Sequence, residues 1–153
     1  MQRFTLALAA ASTLFLGTFA NAESNDGRRG NFVVRDQLTQ NECSACHMAF
    51  PPGLLPKESW NAIMGNLANH FGEDASLDAQ SAEAIRTYLA GNAMQMGAVS
   101  ASNPTLRITE MYWFTHEHGK ARIQRAVKDP RVGSLSNCTA CHRGAASGMF
   151  DDD

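Results

Sequence analysis

Several features are missing from this chain, and each absence narrows its class. It has no run of lysines and arginines, so the sequence indicates neither nucleic acid nor an anionic membrane surface as a partner. After the first 22 residues no apolar stretch is long enough to cross a bilayer, so we do not expect a membrane-embedded protein. No segment has the pattern of a convincing strand, and a mainly α fold is therefore predicted.

The hydrophobic share and the net charge are both low. Apolar residues make up 44% of the 153 positions, part of them near the N-terminus, which leaves a thin core. Lysine and arginine number 13 against 15 acidic residues, a formal net charge of −2. This balance fits a carrier that docks its partners electrostatically, although it also fits many unrelated proteins.

Residues 1–22 match an export signal. A short basic start, Met1-Gln2-Arg3, precedes a mostly apolar and uncharged stretch, and Ala20-Asn21-Ala22 has the small-residue pattern of a cleavage site. The alternative is a membrane anchor, but the apolar stretch is short and a polar segment follows it directly. We therefore predict cleavage after Ala22 and a location in the periplasm.

All four cysteines lie in two copies of one motif, Cys-x-x-Cys-His, at residues 43–47 and 138–142. This motif is the attachment signal for c-type haem. Two thiols on one helical turn can bond to the two vinyl groups along one haem edge, and the histidine that follows gives its imidazole to the iron. The sequence therefore predicts two covalent haem c groups, attached through Cys43, Cys46, Cys138 and Cys141, with His47 and His142 as iron ligands.

Two other uses of the cysteine pairs are weaker. In an oxidising compartment the pairs could form disulfides or a redox-active dithiol. A zinc site usually has its two cysteine pairs close together, whereas these pairs lie far apart in the chain. Neither use explains why a histidine follows both pairs directly. Two buried haems would also supply the apolar surface that the thin polypeptide core lacks.

Helical spacing of apolar residues predicts a helical frame around the motifs. The predicted helices cover residues 32–40, 57–69 and 78–90, and a stretch that starts near Arg107 or Glu110 and carries His118. Residues 120–128 either prolong the last helix or form a separate one. The small and polar segment 92–103 is the predicted linker between two lobes, each built around one haem, at residues 23–100 and 101–153.

Each iron has a second axial position, for which three histidines remain: His70, His116 and His118. His70 lies three positions after Leu67 and seven after Ile63, on the apolar face of the predicted helix. A histidine on such a face is usually a core residue bonded to a carbonyl. Beside a haem we favour an iron ligand, because burying an imidazole without a partner is costly.

The second distal ligand is a choice between His116 and His118. Positions two apart on a helix face different ways, and His118 shares the apolar face with Phe114. We therefore prefer His118 and expect His116 to be a surface residue or a residue that contacts a ligand from behind. Met94 and Met96 are the best methionine candidates and rank behind the histidines. Methionine opposite histidine would raise the haem potential.

Four stretches resemble the bacterial dihaem cytochrome c family: CSACHMAFPPGLLP, HFGEDASLD, RITEMYWFTHEH and NCTACHRGAASGMFDDD. The haem motif alone is generic, but its combination with PPGLLP at residues 51–56 and HFGED at residues 70–74 is more specific. The resemblance implies a mainly helical, two-lobed fold and two low-spin haems, each held by two histidines. It matches His70 and His118 to the distal ligands of the first and second haem.

The predicted function is electron transfer in the periplasm without substrate chemistry, so we do not expect an enzyme. One alternative is a dihaem enzyme or gas sensor with one five-coordinate haem, which requires His70 or His118 to be structural. Another is a haem subunit of a larger reductase, docked through the acidic residues 151–153. The resemblance implies other redox proteins as partners, among them a small oxygen-binding monohaem cytochrome c and a membrane b-type cytochrome.

Overall fold

The computed structural model describes residues 32–95 and 102–150. Short 3₁₀ turns join the α-helices of these two ranges, and no strand forms within them. The predicted mainly α fold is confirmed. The helices are α1 (Gln37–Cys43), α2 (Lys57–Met64), α3 (Ala79–Gly91), α4 (Tyr112–His118) and α5 (Lys120–Ala126).

Some predictions lie outside the described residues, at 1–31, 96–101 and 151–153. They are the signal peptide with its cleavage after Ala22, part of the linker with Met96, and the acidic end of the chain. Among the described helices, none is both long enough and apolar enough to cross a membrane.

Helix α1 leads directly into the first cysteine motif. The Asp36 carboxylate caps its start and accepts hydrogen bonds from the backbone N–H of Thr39 at 2.7 Å and from the Thr39 hydroxyl at 2.8 Å. The cap places the first helical residue at Gln37, so the helix lies nearer the motif than the predicted range 32–40. Cys43, the first thiol of the motif, is the last residue of the helix.

Helix α2 is shorter than the predicted helix over residues 57–69. It ends at Met64, and Gly65, a poor helix former, caps it with an N–H bond of 3.0 Å to the Asn61 carbonyl. A 3₁₀ turn, Leu67–Asn69, separates this end from His70. The prediction that His70 lies on the apolar face of this helix is therefore wrong. A turn, not helical register, directs its ring.

One hydrophobic core joins the two halves of the chain. Helix α2 packs against α3, whose Ile85 is fully buried. Met111 and Phe114, which come after the predicted linker, belong to the same cluster. The Ser59 hydroxyl donates a 2.6 Å hydrogen bond to the Thr105 carbonyl. The core thus crosses the predicted lobe boundary at residues 100 and 101, and the division into lobes stays a prediction.

Helix α4 begins later than the predicted start near Arg107 or Glu110. A 3₁₀ turn occupies Ile108–Glu110, and α4 itself begins at Tyr112. Gly119 follows α4 with a φ of 63°, a left-handed conformation that glycine adopts without strain. This break makes α5 a separate helix and leaves His118 as the last residue of α4.

Candidate haem sites

His47 of the first motif and His70 face each other. Their ring centres lie 6.2 Å apart, and the ring planes meet at 23°. With a metal–nitrogen bond of about 2 Å and about 1 Å from nitrogen to ring centre, two imidazoles on opposite sides of one metal ion have centres about 6 Å apart. The spacing of this pair therefore fits one iron held between the two rings.

The ring nitrogens of this pair have different surroundings. Nδ1 of His47 donates to the carbonyl of Met48 at 2.7 Å, which leaves Nε2 for a metal. Nδ1 of His70 is buried and has no hydrogen-bond partner. Burial, and after it the neighbouring His47, lowers the pKa of His70. A lowered pKa favours the neutral ring that metal binding requires.

A cavity of about 580 Å³, which we call the first haem cavity, surrounds this pair. Its size falls within the range of small-molecule and cofactor sites, about 300–1,000 Å³. Both thiols of the first motif line it, so the residues present fit a porphyrin attached at Cys43 and Cys46. Apolar side chains supply part of the wall: Phe50, Leu55, Trp60, Ile63, Leu67 and Leu89. The C-terminal half adds residues 106–109, Ser134 and Ser136.

The two cysteines of each motif differ in burial in the same way. Cys43 and Cys138 are half-buried, whereas Cys46 and Cys141 are exposed, and no disulfide joins any of the four. Burial raises the pKa of the Cys43 thiol, and the Glu42 carboxylate adds to the effect. Burial also raises the pKa of Cys138. Burial thus makes the ionised form of the inner thiol of each motif less favourable.

His142 of the second motif lies beside His118. Their ring centres are 6.0 Å apart and the ring planes meet at 85°. This spacing again fits two imidazoles on one metal ion. Nδ1 of His118 donates to the Phe114 carbonyl at 2.9 Å, and the imidazole stacks on the Phe114 ring with centres 4.0 Å apart. The preceding turn of α4 thus sets the ring plane of His118 and leaves its Nε2 for a metal.

His116 has different surroundings on the same helix. Its side chain is 65% exposed, with Nδ1 3.3 Å from the Glu117 carboxylate, and its ring stacks on Tyr112 with centres 5.9 Å apart. The structure thus places His118 next to His142 and His116 toward solvent. Met94, the described methionine candidate, is half-buried and packs against the hydrophobic core.

Two residues at the first haem cavity escaped the sequence predictions. The guanidinium carbon of Arg107 lies 4.4 Å from the centre of the Phe71 ring, and both residues line the cavity. The Phe71 ring is in turn 5.0 Å from the ring of His70. Its position next to His70 could have marked Phe71. No local pattern marks Arg107, because it reaches this place only through the fold.

With this geometry established, comparison with known proteins finds close likenesses. A family model described as "Dihaem cytochrome c" matches residues 39–150. A solved structure of a diheme cytochrome c from Rhodobacter sphaeroides is 47% identical, with a TM-score of 0.69, and the match covers 77% of this chain and 98% of that one.

A second solved structure comes from another genus. The diheme cytochrome type c sb-DHC from Shewanella baltica OS155 is 39% identical, with a TM-score of 0.66, and the match covers 78% of this chain and 89% of that one. No curated protein sequence matches this chain. The resemblance predicted from the sequence is confirmed by the family match and by both structures.

Proposed function

Because this chain belongs to the dihaem cytochrome c family, we propose that it is a periplasmic electron carrier in which two histidines hold each haem iron. Its cofactors are two haem c groups with iron. Bound haem iron supplies one-electron exchange between the ferric and ferrous states. The observation that carries the proposal is the spacing of the two histidine pairs, whose ring centres are 6.2 Å and 6.0 Å apart.

In this proposal His47 and His70 would hold the first iron, and His118 and His142 would hold the second. Two protein ligands on each iron would leave no place for a substrate on the metal, so we propose no catalytic activity for the chain. The same residues would hold the iron in both oxidation states, and electron exchange would therefore need little rearrangement. Ligation by two histidines keeps the potential below that of a histidine–methionine pair.

Backbone carbonyls orient the proposed ligands His47 and His118. The Met48 carbonyl accepts from Nδ1 of His47, and the Phe114 carbonyl accepts from Nδ1 of His118. Such bonds fix the tautomer and make the other nitrogen a stronger donor to the metal. A stronger donor stabilises the ferric state, so both bonds act in the direction of a low reduction potential.

Export and partners complete the proposal. Residues 1–22 direct the chain to the periplasm and are removed after Ala22, as the signal pattern predicts. The partners are other redox proteins, and the family resemblance favours a small oxygen-binding monohaem cytochrome c and a membrane b-type cytochrome. Cell fractionation followed by the intact mass of the periplasmic holo-protein tests both the location and the cleavage site. A chain that still carries residues 1–22 would contradict the cleavage.

Absorption spectra of the purified ferric and ferrous holo-protein, with and without carbon monoxide, test the ligation. We expect low-spin spectra in both states and no change with carbon monoxide, because no axial position is open. A high-spin ferric band, or a ferrous Soret shift on adding carbon monoxide, contradicts ligation by two histidines at both irons.

The second candidate function is gas binding or catalysis at the first haem. One observation favours it, since Nδ1 of His70 is buried without a hydrogen-bond partner, so no bond orients this ring. A ligand on a turn, without such a bond, is the one that an incoming gas would displace. Carbon monoxide would then shift about half of the total haem absorbance, and protein that lacks the first haem would not show this shift. That result would support gas binding or catalysis over the electron-carrier function.

A further inference from the structure

Positive charge is scarce around the first haem cavity. The carboxylates of Glu42, Glu73 and Asp74 line it, and among the described residues of its wall only Arg107 is a lysine or arginine. A haem brings two more carboxylates, its propionates. With the haem attached, a single guanidinium therefore faces a clear excess of negative charge.

The charge of Arg107 is only weakly compensated by the protein. Its Nε lies 3.8 Å from the Glu110 carboxylate, and both side chains are more than half exposed, at 53% and 63%. An exposed pair at this distance contributes little to stability. The guanidinium instead lies over the Phe71 ring at 4.4 Å, a cation–π contact that holds it at the cavity wall.

We propose that Arg107 offsets the charge of the first haem's propionates and thereby raises the reduction potential of that haem. Reduction adds an electron, and a nearby cation stabilises the more negative state. Arg107 comes from the C-terminal half of the chain, which also attaches the second haem. This half therefore contributes to the reduction potential of the first haem. This inference rests on the proposed electron-carrier function.

The charge-removing variant Arg107→Gln tests the proposal in the mature holo-protein. At a fixed applied potential we expect the ferric-to-ferrous ratio of the first haem to rise about tenfold, which equals a potential lower by about 59 mV for one electron. We expect a change below roughly threefold at the second haem, because its histidine pair does not line this cavity and solvent and salt screen the charge between the two sites. A redox titration followed by electron paramagnetic resonance reads each ferric haem separately. The first-haem signal is the one that His70→Ala removes.

Two further variants separate charge from packing. Arg107→Lys keeps the charge but loses the planar contact with Phe71, and we expect it to retain most of the wild-type potential. Arg86→Gln is the matched control, because this guanidinium lies in the N-terminal half, outside the cavity wall, and bonds to Glu83. We expect no shift at either haem. Equal shifts in Arg107→Gln and Arg107→Lys, equal shifts at both haems, or no shift in Arg107→Gln overturn the proposal.

Glu110→Gln removes a negative charge instead of a positive one, so it should change the reduction potential in the opposite direction. It keeps the proposal testable if Arg107→Gln does not fold. It removes the carboxylate beside Arg107, and we expect the ferric-to-ferrous ratio of the first haem to fall about twofold at fixed potential. An unchanged or higher ratio contradicts the proposal. Carbon monoxide spectra of the same samples test the ligation independently, so a failure of the carrier function is distinguished from a failure of the role of Arg107.

Discussion

The two haem sites use the same five-residue motif but hold their histidine pairs differently. In the first site the rings are close to parallel, at 23°, and in the second they are close to perpendicular, at 85°. His70 follows a 3₁₀ turn, whereas His118 ends a helix and is bonded to the carbonyl one turn back. An identical motif thus leaves the orientation of the histidine that faces it to the backbone that carries that histidine.

Removal of a distal ligand is the largest change that tests this comparison. We expect His118→Ala to open the second iron, giving a high-spin ferric signal and a carbon monoxide shift for about half of the haem, since one axial bond of one site is lost. Absorption spectroscopy with carbon monoxide measures it. His116→Ala, two positions away on the same helix, is the control and should leave the spectra unchanged. If only the His116 change opens the haem, the assignment of His118 is wrong.

The ring-plane angles predict two different resonance signals from one ferric protein. Parallel imidazole planes act on the same iron d orbital and split it from its partner, whereas perpendicular planes act on both orbitals almost equally. We therefore expect a rhombic low-spin signal from the first haem and a strongly anisotropic signal with one large g value from the second.

Low-temperature electron paramagnetic resonance of the ferric holo-protein measures both signals. His70→Ala should remove the rhombic signal and leave the anisotropic one, and His118→Ala should do the reverse. Two rhombic signals of equal shape would contradict the difference between the sites.

Phe114 belongs to the core but does not line the first haem cavity, so its truncation should affect the second site more than the first. Phe114 is buried and stacks on His118 at 4.0 Å. We expect Phe114→Leu to lower the free energy of unfolding by about 1–2 kcal/mol, through lost packing and the lost aromatic pair. It should also broaden the signal of the second haem, because the ring of His118 loses its stacking partner.

Denaturant unfolding and electron paramagnetic resonance measure the two effects of Phe114→Leu. Tyr112→Leu is the control, since Tyr112 lies on the same helix and is 80% exposed. If the first-haem signal broadens as much as the second-haem signal in Phe114→Leu, the loss of the Phe114 ring affects both sites equally, and the predicted larger effect at the second site is wrong.

The smallest expected effect concerns acid stability near the second motif. Hydrogen bonds from Arg131 lower the pKa of Asp129 from 3.8 to about 2. The folded state thus favours the ionised carboxylate, so its contribution is complete above pH 3.8 and is lost as the pH falls toward 2. Asp129→Asn should remove this part of the acid dependence, with little change at pH 7.

Circular dichroism during an acid titration checks the prediction for Asp129. An acid transition of Asp129→Asn that is steeper than that of the wild type between pH 4 and 2 would contradict it. The absorption of the holo-protein, followed in the same titration, shows whether the second haem loses its ligands before the first.

Contacts between residues that lie close in the chain could be predicted from the sequence, whereas contacts between distant segments could not. The stacking of His118 on Phe114 follows from a spacing of four on a helix, which the sequence displays. His70 faces His47, but the helix that was expected to carry it ends at Met64, because Gly65 and the following turn outweigh the apolar spacing. Arg107 reaches Phe71 from far along the chain, a contact that no local pattern encodes.

The kind and number of cofactors follow from the amino-acid sequence alone, because covalent attachment depends on two thiols and a histidine within five consecutive residues. The mainly helical class follows from the sequence as well, through apolar spacing. The folded chain was needed to learn which histidines face each other and at what ring angle, and that the C-terminal half lines part of the first haem cavity. Those features depend on packing between distant segments, where a turn of a few residues redirects a side chain.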